Sequence, residues 1–95
     1  MITVKDQELH VSGKITFENA ENYYQQGLQL IKQSQQFPLT FDLSALESGS
    51  TLALAVLVRW LREGPSLTSL QFKAVPDKMM KIIQSCHLEN DLKLI

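Results

Sequence analysis

Apolar residues recur along this chain with two different periods, and the switches between them mark its elements. Ile2 and Val4 alternate with Thr3 and Lys5; after Asp6-Gln7, Leu9 and Val11 alternate with His10 and Ser12. Two period-2 runs around a polar break predict a β-hairpin. Gly13 marks a bend, and Ile15 and Phe17 are expected to supply apolar contacts as the chain leaves the sheet. From Asn19 or Ala20 to Gln33 the period becomes helical. Ala20, Tyr24, Gly27, Leu28 and Ile31 share a stripe, Tyr23 and Leu30 flank it, and Gln25, Gln26, Gln29 and Gln33 face water. Asn19 is the expected cap, and Glu18 and Glu21 suit the positive helix start. Gly27 in the interior costs up to about 1 kcal/mol against Ala, which suggests a close approach of this helix to the sheet.

Leu39, Phe41 and Leu43 point to one face of a third strand, with Thr40 opposite and Asp42 near the strand end, where a carboxylate can cap a turn. A second helix is predicted over residues 51–63, and Gly64-Pro65 stops it. Leu67 and then residues 70–75, alternating at 70, 72 and 74, predict a fourth strand. Pro76-Asp77 opens a third helix whose Met79, Ile82, Ile83 and Cys86 fall on its core face. Residues 92–95 form a short last strand. The order β-β-α-β-α-β-α-β implies a mixed sheet, parallel in its later part, with right-handed crossovers.

Composition narrows what such a domain can do. A chain of 95 residues makes one domain spanning 1–95, with room for one functional surface and little for a deep cleft. Nine Lys and Arg against ten Asp and Glu give a net charge of −1, without the basic footprint of a nucleic-acid binder. The single cysteine, Cys86, excludes an intrachain disulfide and is expected to be a buried thiol. The start of the chain does not read as a signal peptide. The longest apolar run, residues 52–58, is far short of the ~20 residues that span a bilayer. A cytoplasmic protein without direct membrane insertion is expected.

Chemistry-bearing motifs are sparse. The four glycines, at 13, 27, 49 and 64, form neither a Walker loop nor a dinucleotide fingerprint. His10 and His87 are far apart and there is one cysteine, so no metal site and no catalytic residue is assigned. No cofactor is expected.

The distinctive stretch is Ser48, Gly49, Ser50 and Thr51, opening directly into the most apolar helix. A serine there caps the helix, contributing about 1 kcal/mol. The loop also follows a strand, the place where open α/β sheets bind ligands, and free N–H groups there favour an anion or a phosphorylated side chain. The helix carries Leu54, Leu57, Val58 and Leu61 on one stripe and Ala53, Val56 and Trp60 on another. A helix apolar on more than one side is either deeply buried or docks a partner. Trp60 beside Arg59 has the composition of a binding hot spot, and it could equally fold over the domain's own core.

Three stretches carry a family resemblance. Val11-Ser12-Gly13-Lys14-Ile15-Thr16, Leu39-Thr40-Phe41-Asp42-Leu43-Ser44 and Ser48-Gly49-Ser50-Thr51-Leu52-Ala53-Leu54 resemble, in order and spacing, the signature segments of the STAS domain family of anti-sigma factor antagonists and sulfate-transporter tails. The resemblance implies an α/β, STAS-like (anti-sigma factor antagonist) fold, a mixed sheet of about four to five strands with about three or more helices. Ser48 replaces the family's Asp, Gly49 replaces the hydroxyl residue phosphorylated in the antagonists, Thr51 replaces a Gly, and Thr16 replaces an Asp. Ser50 is the one hydroxyl in register with the phosphorylated pair and the candidate phosphorylation site.

Within the family, the short bare domain with Leu-Ala-Leu at the helix start is most similar to the STAS subunits of bacterial phospholipid ABC transporters. That similarity implies a non-enzymatic accessory subunit. It would bind the transporter's ATPase directly and the permease through it, at the inner membrane, in the upkeep of outer-membrane lipid asymmetry. Ser48, Gly49, Ser50, Thr51, Ala53, Val56 and Trp60 would form the partner-binding surface, and Trp60→Ala is expected to weaken binding and spare the fold. The alternatives are an anti-sigma factor antagonist regulated by phosphorylation of the 48–51 loop and a small nucleotide-binding or hydrolytic domain.

Overall fold

The computed structural model describes residues 1–34, 37–47, 50–66 and 69–95. The chain runs β1 (Ile2–Lys5), β2 (Glu8–Val11), α1 (Ala20–Gln33), β3 (Leu39–Asp42), α2 (Thr51–Glu63), β4 (Leu70–Lys73), α3 (Asp77–Ser85) and β5 (Lys93–Leu94). The order of elements is the one the periodicity predicts. The strands form one sheet in chain order, β1-β2-β3-β4-β5. β1 and β2 are antiparallel, with Ile2 opposite Val11 and Val4 opposite Leu9, and the later pairs are parallel. Asp6 and Gln7 close the hairpin at φ 54° and 67°, both left-handed, as the right-handed twist of a two-residue turn requires.

Sequential parallel strands joined by right-handed crossovers place every helix on the same side of the sheet. Burial follows that rule. Leu9, Val11, Leu39, Phe41, Leu70 and Phe72 face the helices and are buried, while Thr3, Lys5, Glu8, His10, Thr40, Gln71 and Lys73 face out and are half-buried or exposed. The core lies between the layers, with Phe41 and Phe72 at its centre, their ring centroids 5.5 Å apart.

Several expectations change. Cys86 is exposed: α3 ends at Ser85 and Cys86 leaves helical geometry (ψ 4°), so the helical spacing no longer carries it inward. Phe17 is 92 % exposed, whereas Ile15 supplies the core contact. Asn19 caps no helical N–H; it braces the preceding turn instead. Gly27 does approach another element closely, but that element is α2. β4 stops at Lys73 because Ala74 turns to φ 54°, and the expected start at Leu67 lies outside the described residues. Asp42 behaves as expected, accepting from the Ser44 N–H at 2.8 Å.

Candidate functional site

The candidate site is the edge of the sheet at the C-terminal ends of β2 and β3, where α1 and α2 both begin. Two loops meet there. The Gly13 N–H donates to the Ala45 carbonyl at 3.2 Å and the Glu47 N–H donates to the Gly13 carbonyl at 2.9 Å, so the β2–α1 turn is stitched to the segment leading into α2. Gly13 needs its φ of 88°, and a Cβ there would meet the Tyr23 hydroxyl at 2.8 Å.

Ser50 is the N-cap of α2, in extended conformation, and its hydroxyl accepts from the Ala53 N–H at 3.1 Å. Of the loop residues expected to meet a partner, Ser50 is half-buried and Thr51 exposed; Ser48 and Gly49 lie outside the described residues. The rest of the expected surface is not surface. Ala53 and Trp60 are fully buried and Val56 is 2 % exposed. Trp60 stacks on Phe41 with centroids 5.0 Å apart and planes at 23°. Its indole N–H donates to the Tyr24 carbonyl at 3.0 Å. The physical reason is the shape of the layer. α2 lies between α1 and α3 over the middle of the sheet, so Trp60 reaches Phe41 on the sheet and the α1 backbone at Gly27, and Ala53 and Val56 are buried with it. The outward stripe of α2 is Thr51, Leu52, Ala55, Val58, Arg59 and Arg62.

Arg59 on that stripe is engaged. Its guanidinium lies 3.6 Å from the centroid of the Tyr24 ring and donates to the Glu21 carboxylate at 2.9 Å. That hydrogen bond first, and the one from Gln25, hold the Glu21 carboxyl below its usual range. The Tyr24 hydroxyl donates to Glu63 at 3.0 Å. Burial first, then this hydrogen bond, raises its pKa above that of an ordinary tyrosine, so it remains a donor at neutral pH. Arg59 thus clamps α1 to α2, a structural use of a residue whose neighbour suggested a hot spot.

A second constellation escaped the sequence reading. On the outer sheet face His10 of β2 pairs in register with Asp42 of β3. Ligand-capable atoms of Glu8, His10 and Asp42 lie within 4.8 Å of one another. Cross-strand register brings them together, and sequence spacing carries no sign of it. The Lys73 ammonium sits 2.7 Å from Glu8 Oε1, so the cluster already holds a cation of the protein's own. The Glu8 hydrogen bond is the main cause of the raised Lys73 pKa.

The family model described as "Mlab, STAS domain" matches residues 2–95. A search of the curated proteins found no match. Among solved structures, a chain of the Acinetobacter MlaFEDB complex in an ATP-bound Vtrans1 conformation is 59% identical over 100% of both chains, with a TM-score of 0.92. A chain of that complex in the ATP-bound Vtrans2 conformation is 62% identical over 95% of each chain, with a TM-score of 0.89. An anti-sigma factor antagonist from Mycobacterium paratuberculosis is 23% identical over 99% of this chain and 81% of its own, with a TM-score of 0.80. That last likeness is one of fold alone.

Proposed function

This chain belongs to the family described as Mlab, STAS domain, and on that premise we propose that it is a non-catalytic accessory subunit of a phospholipid ABC transporter. It binds the ATPase subunit directly, reaches the permease through it, and supports assembly and activity of the complex in maintaining outer-membrane lipid asymmetry. The observation that carries this reading is the identity of 59% over the full length of both chains to a component of the Acinetobacter MlaFEDB complex. Likeness at that level extends to surface positions, whereas the 23% identity to an anti-sigma factor antagonist extends to the fold.

The chemistry of the site supports a binding role. The Ser50 hydroxyl is committed as a cap acceptor, Asp42 is committed to Ser44, and Glu8 to Lys73. These three groups are already engaged within the fold. No helix among the described residues is long and apolar enough to cross a membrane. On this reading the chain is a peripheral subunit, held on the cytoplasmic side of the inner membrane by its partners. The docking surface on this reading is the start of α2, Ser50 and Thr51, with the preceding Ser48 and Gly49.

Affinity purification of the tagged chain from its native cells, in mild detergent, tests the proposal. Stoichiometric recovery of an ABC ATPase and a permease is the expected result. Recovery of the chain alone, or with a kinase-like anti-sigma factor, would refute it.

A further inference from the structure

Large apolar side chains that face water among the described residues are Met1, Val4, Phe17, Phe37 and Ile95, and Phe17 is the most exposed at 92 %. An aromatic ring of this kind offers about 150–250 Å² of burial to whatever covers it.

The ring is displayed by a braced turn. The Thr16 N–H donates to Asn19 Oδ1 at 2.7 Å, and Asn19 Nδ2 donates to the Lys14 carbonyl at 2.9 Å. The Ala20 and Asn19 N–H groups both donate to the Thr16 carbonyl, at 2.8 and 3.2 Å. Two residues earlier Ile15 is anchored in the core. Phe17 therefore stands at the second position of a turn tied on both sides. Ordering it on binding costs its two side-chain torsions and little backbone freedom, the condition that favours an aromatic anchor.

Its position is the end of the sheet that carries the proposed docking surface. The turn is bonded through Gly13 to Ala45 and Glu47, on the way to the α2 start. Met1 reaches the same edge, since its amine donates to the Ser12 carbonyl at 2.7 Å. Ile95 ends on that edge at the far flank, its N–H bonded to the Phe72 carbonyl at 2.9 Å. Val4 and Phe37 lie toward the opposite edge. Because Ala53, Val56 and Trp60 are buried, the apolar contact of a docked subunit comes from residues left outside: Leu52, Ala55 and Val58 on α2 and, at the same end of the sheet, Phe17, the most exposed large apolar side chain.

We infer that Phe17 is the apolar anchor of the interface with the ATPase subunit, its ring entering an apolar pocket on that partner. The inference rests on the proposed function, and it names the residue that does the binding.

Titration of the purified chain against the ATPase subunit encoded by the same cells tests it, with Phe17→Ala, Phe17→Leu and, as control, Phe37→Ala. Expected are a Kd at least about 10-fold weaker for Phe17→Ala, a Kd within about 3-fold of wild type for Phe17→Leu, and little change for Phe37→Ala. The melting temperature of isolated Phe17→Ala stays at the wild-type value. Wild-type binding with Phe17→Ala equally tight overturns the inference and leaves the proposed function standing. Failure of the wild-type chain to bind overturns both. Loss of binding accompanied by a lowered melting temperature in Phe17→Ala, with Phe17→Leu no better, assigns the ring to folding and also overturns it.

Discussion

A Cβ at position 27 would overlap the indole of Trp60, so Gly27 and Trp60 form a matched pair across the α1–α2 contact. The indole N–H bonds the Tyr24 carbonyl at 3.0 Å, holding the ring against the turn of α1 where the side chain is missing. Two effects of Gly27→Ala oppose each other. Helix propensity gains up to about 1 kcal/mol. Overpacking a buried contact costs about 1–3 kcal/mol, and here the neighbour is a rigid ring backed by Phe41. The overlap wins: Gly27→Ala is expected to lower stability by about 1–2 kcal/mol in urea denaturation.

Trp60→Ala is expected to be far more severe. It removes a fully buried ring stacked on Phe41 and the indole hydrogen bond to the Tyr24 carbonyl. Large aromatic-to-Ala changes in cores cost about 3–5 kcal/mol, a large share of the stability of a small domain. Circular dichroism melts should show a strongly lowered transition or none. A melt like that of the wild type would place the ring outside the core.

Ser50 contributes through its cap. Ser50→Ala leaves the Ala53 N–H without its acceptor and is expected to cost about 1 kcal/mol. Ser50→Asp keeps an acceptor and adds negative charge at a helix start that has no acidic residue in its first turn, so it should match or exceed the wild type. Equal stability of the Ala and Asp variants in denaturant would count against this account.

Ala74 holds a left-handed conformation, φ 54°, right after β4. That geometry costs a non-glycine residue about 1–2 kcal/mol, against about 0.5–1 kcal/mol of extra chain entropy for glycine. Ala74→Gly is expected to raise stability by about 0.5–1 kcal/mol, read as a higher urea midpoint with an unchanged slope.

Asp42 sets an acid limb. Hydrogen bonds from the Ser44 side chain and then its backbone N–H hold the Asp42 carboxyl below its usual range, with His10 and Lys73 adding to the effect against desolvation. A carboxyl depressed in the folded state stabilises fully above its unfolded value, about 4, and that contribution fades as pH falls through the folded value. Asp42→Asn should therefore be less stable than the wild type at neutral pH, with the gap closing below about pH 4. A gap that stays constant from pH 7 to pH 3 would contradict it.

The elements and their order are written in local periodicity. Period-2 runs at Ile2, Val4, Leu9 and Val11 and helical stripes at Tyr24, Ile31, Leu54 and Leu61 depend on which face of one element is apolar, and that is written locally. The Ser50 cap and the Asp42 turn were legible for the same reason, since donor and acceptor lie within three residues.

Which apolar side chains remain outside depends on packing between elements far apart in the chain. Trp60 and Phe17 are both aromatic residues near element ends, and nothing local separates them. Trp60 is covered because α1 offers a gap at Gly27 and a carbonyl at Tyr24, 36 residues away. Phe17 is left in water at the second position of the turn that Asn19 braces before α1 begins. Burial is a property of what lies across the contact, so it was settled by the packing of α1 on α2 and by the register of β2 on β3.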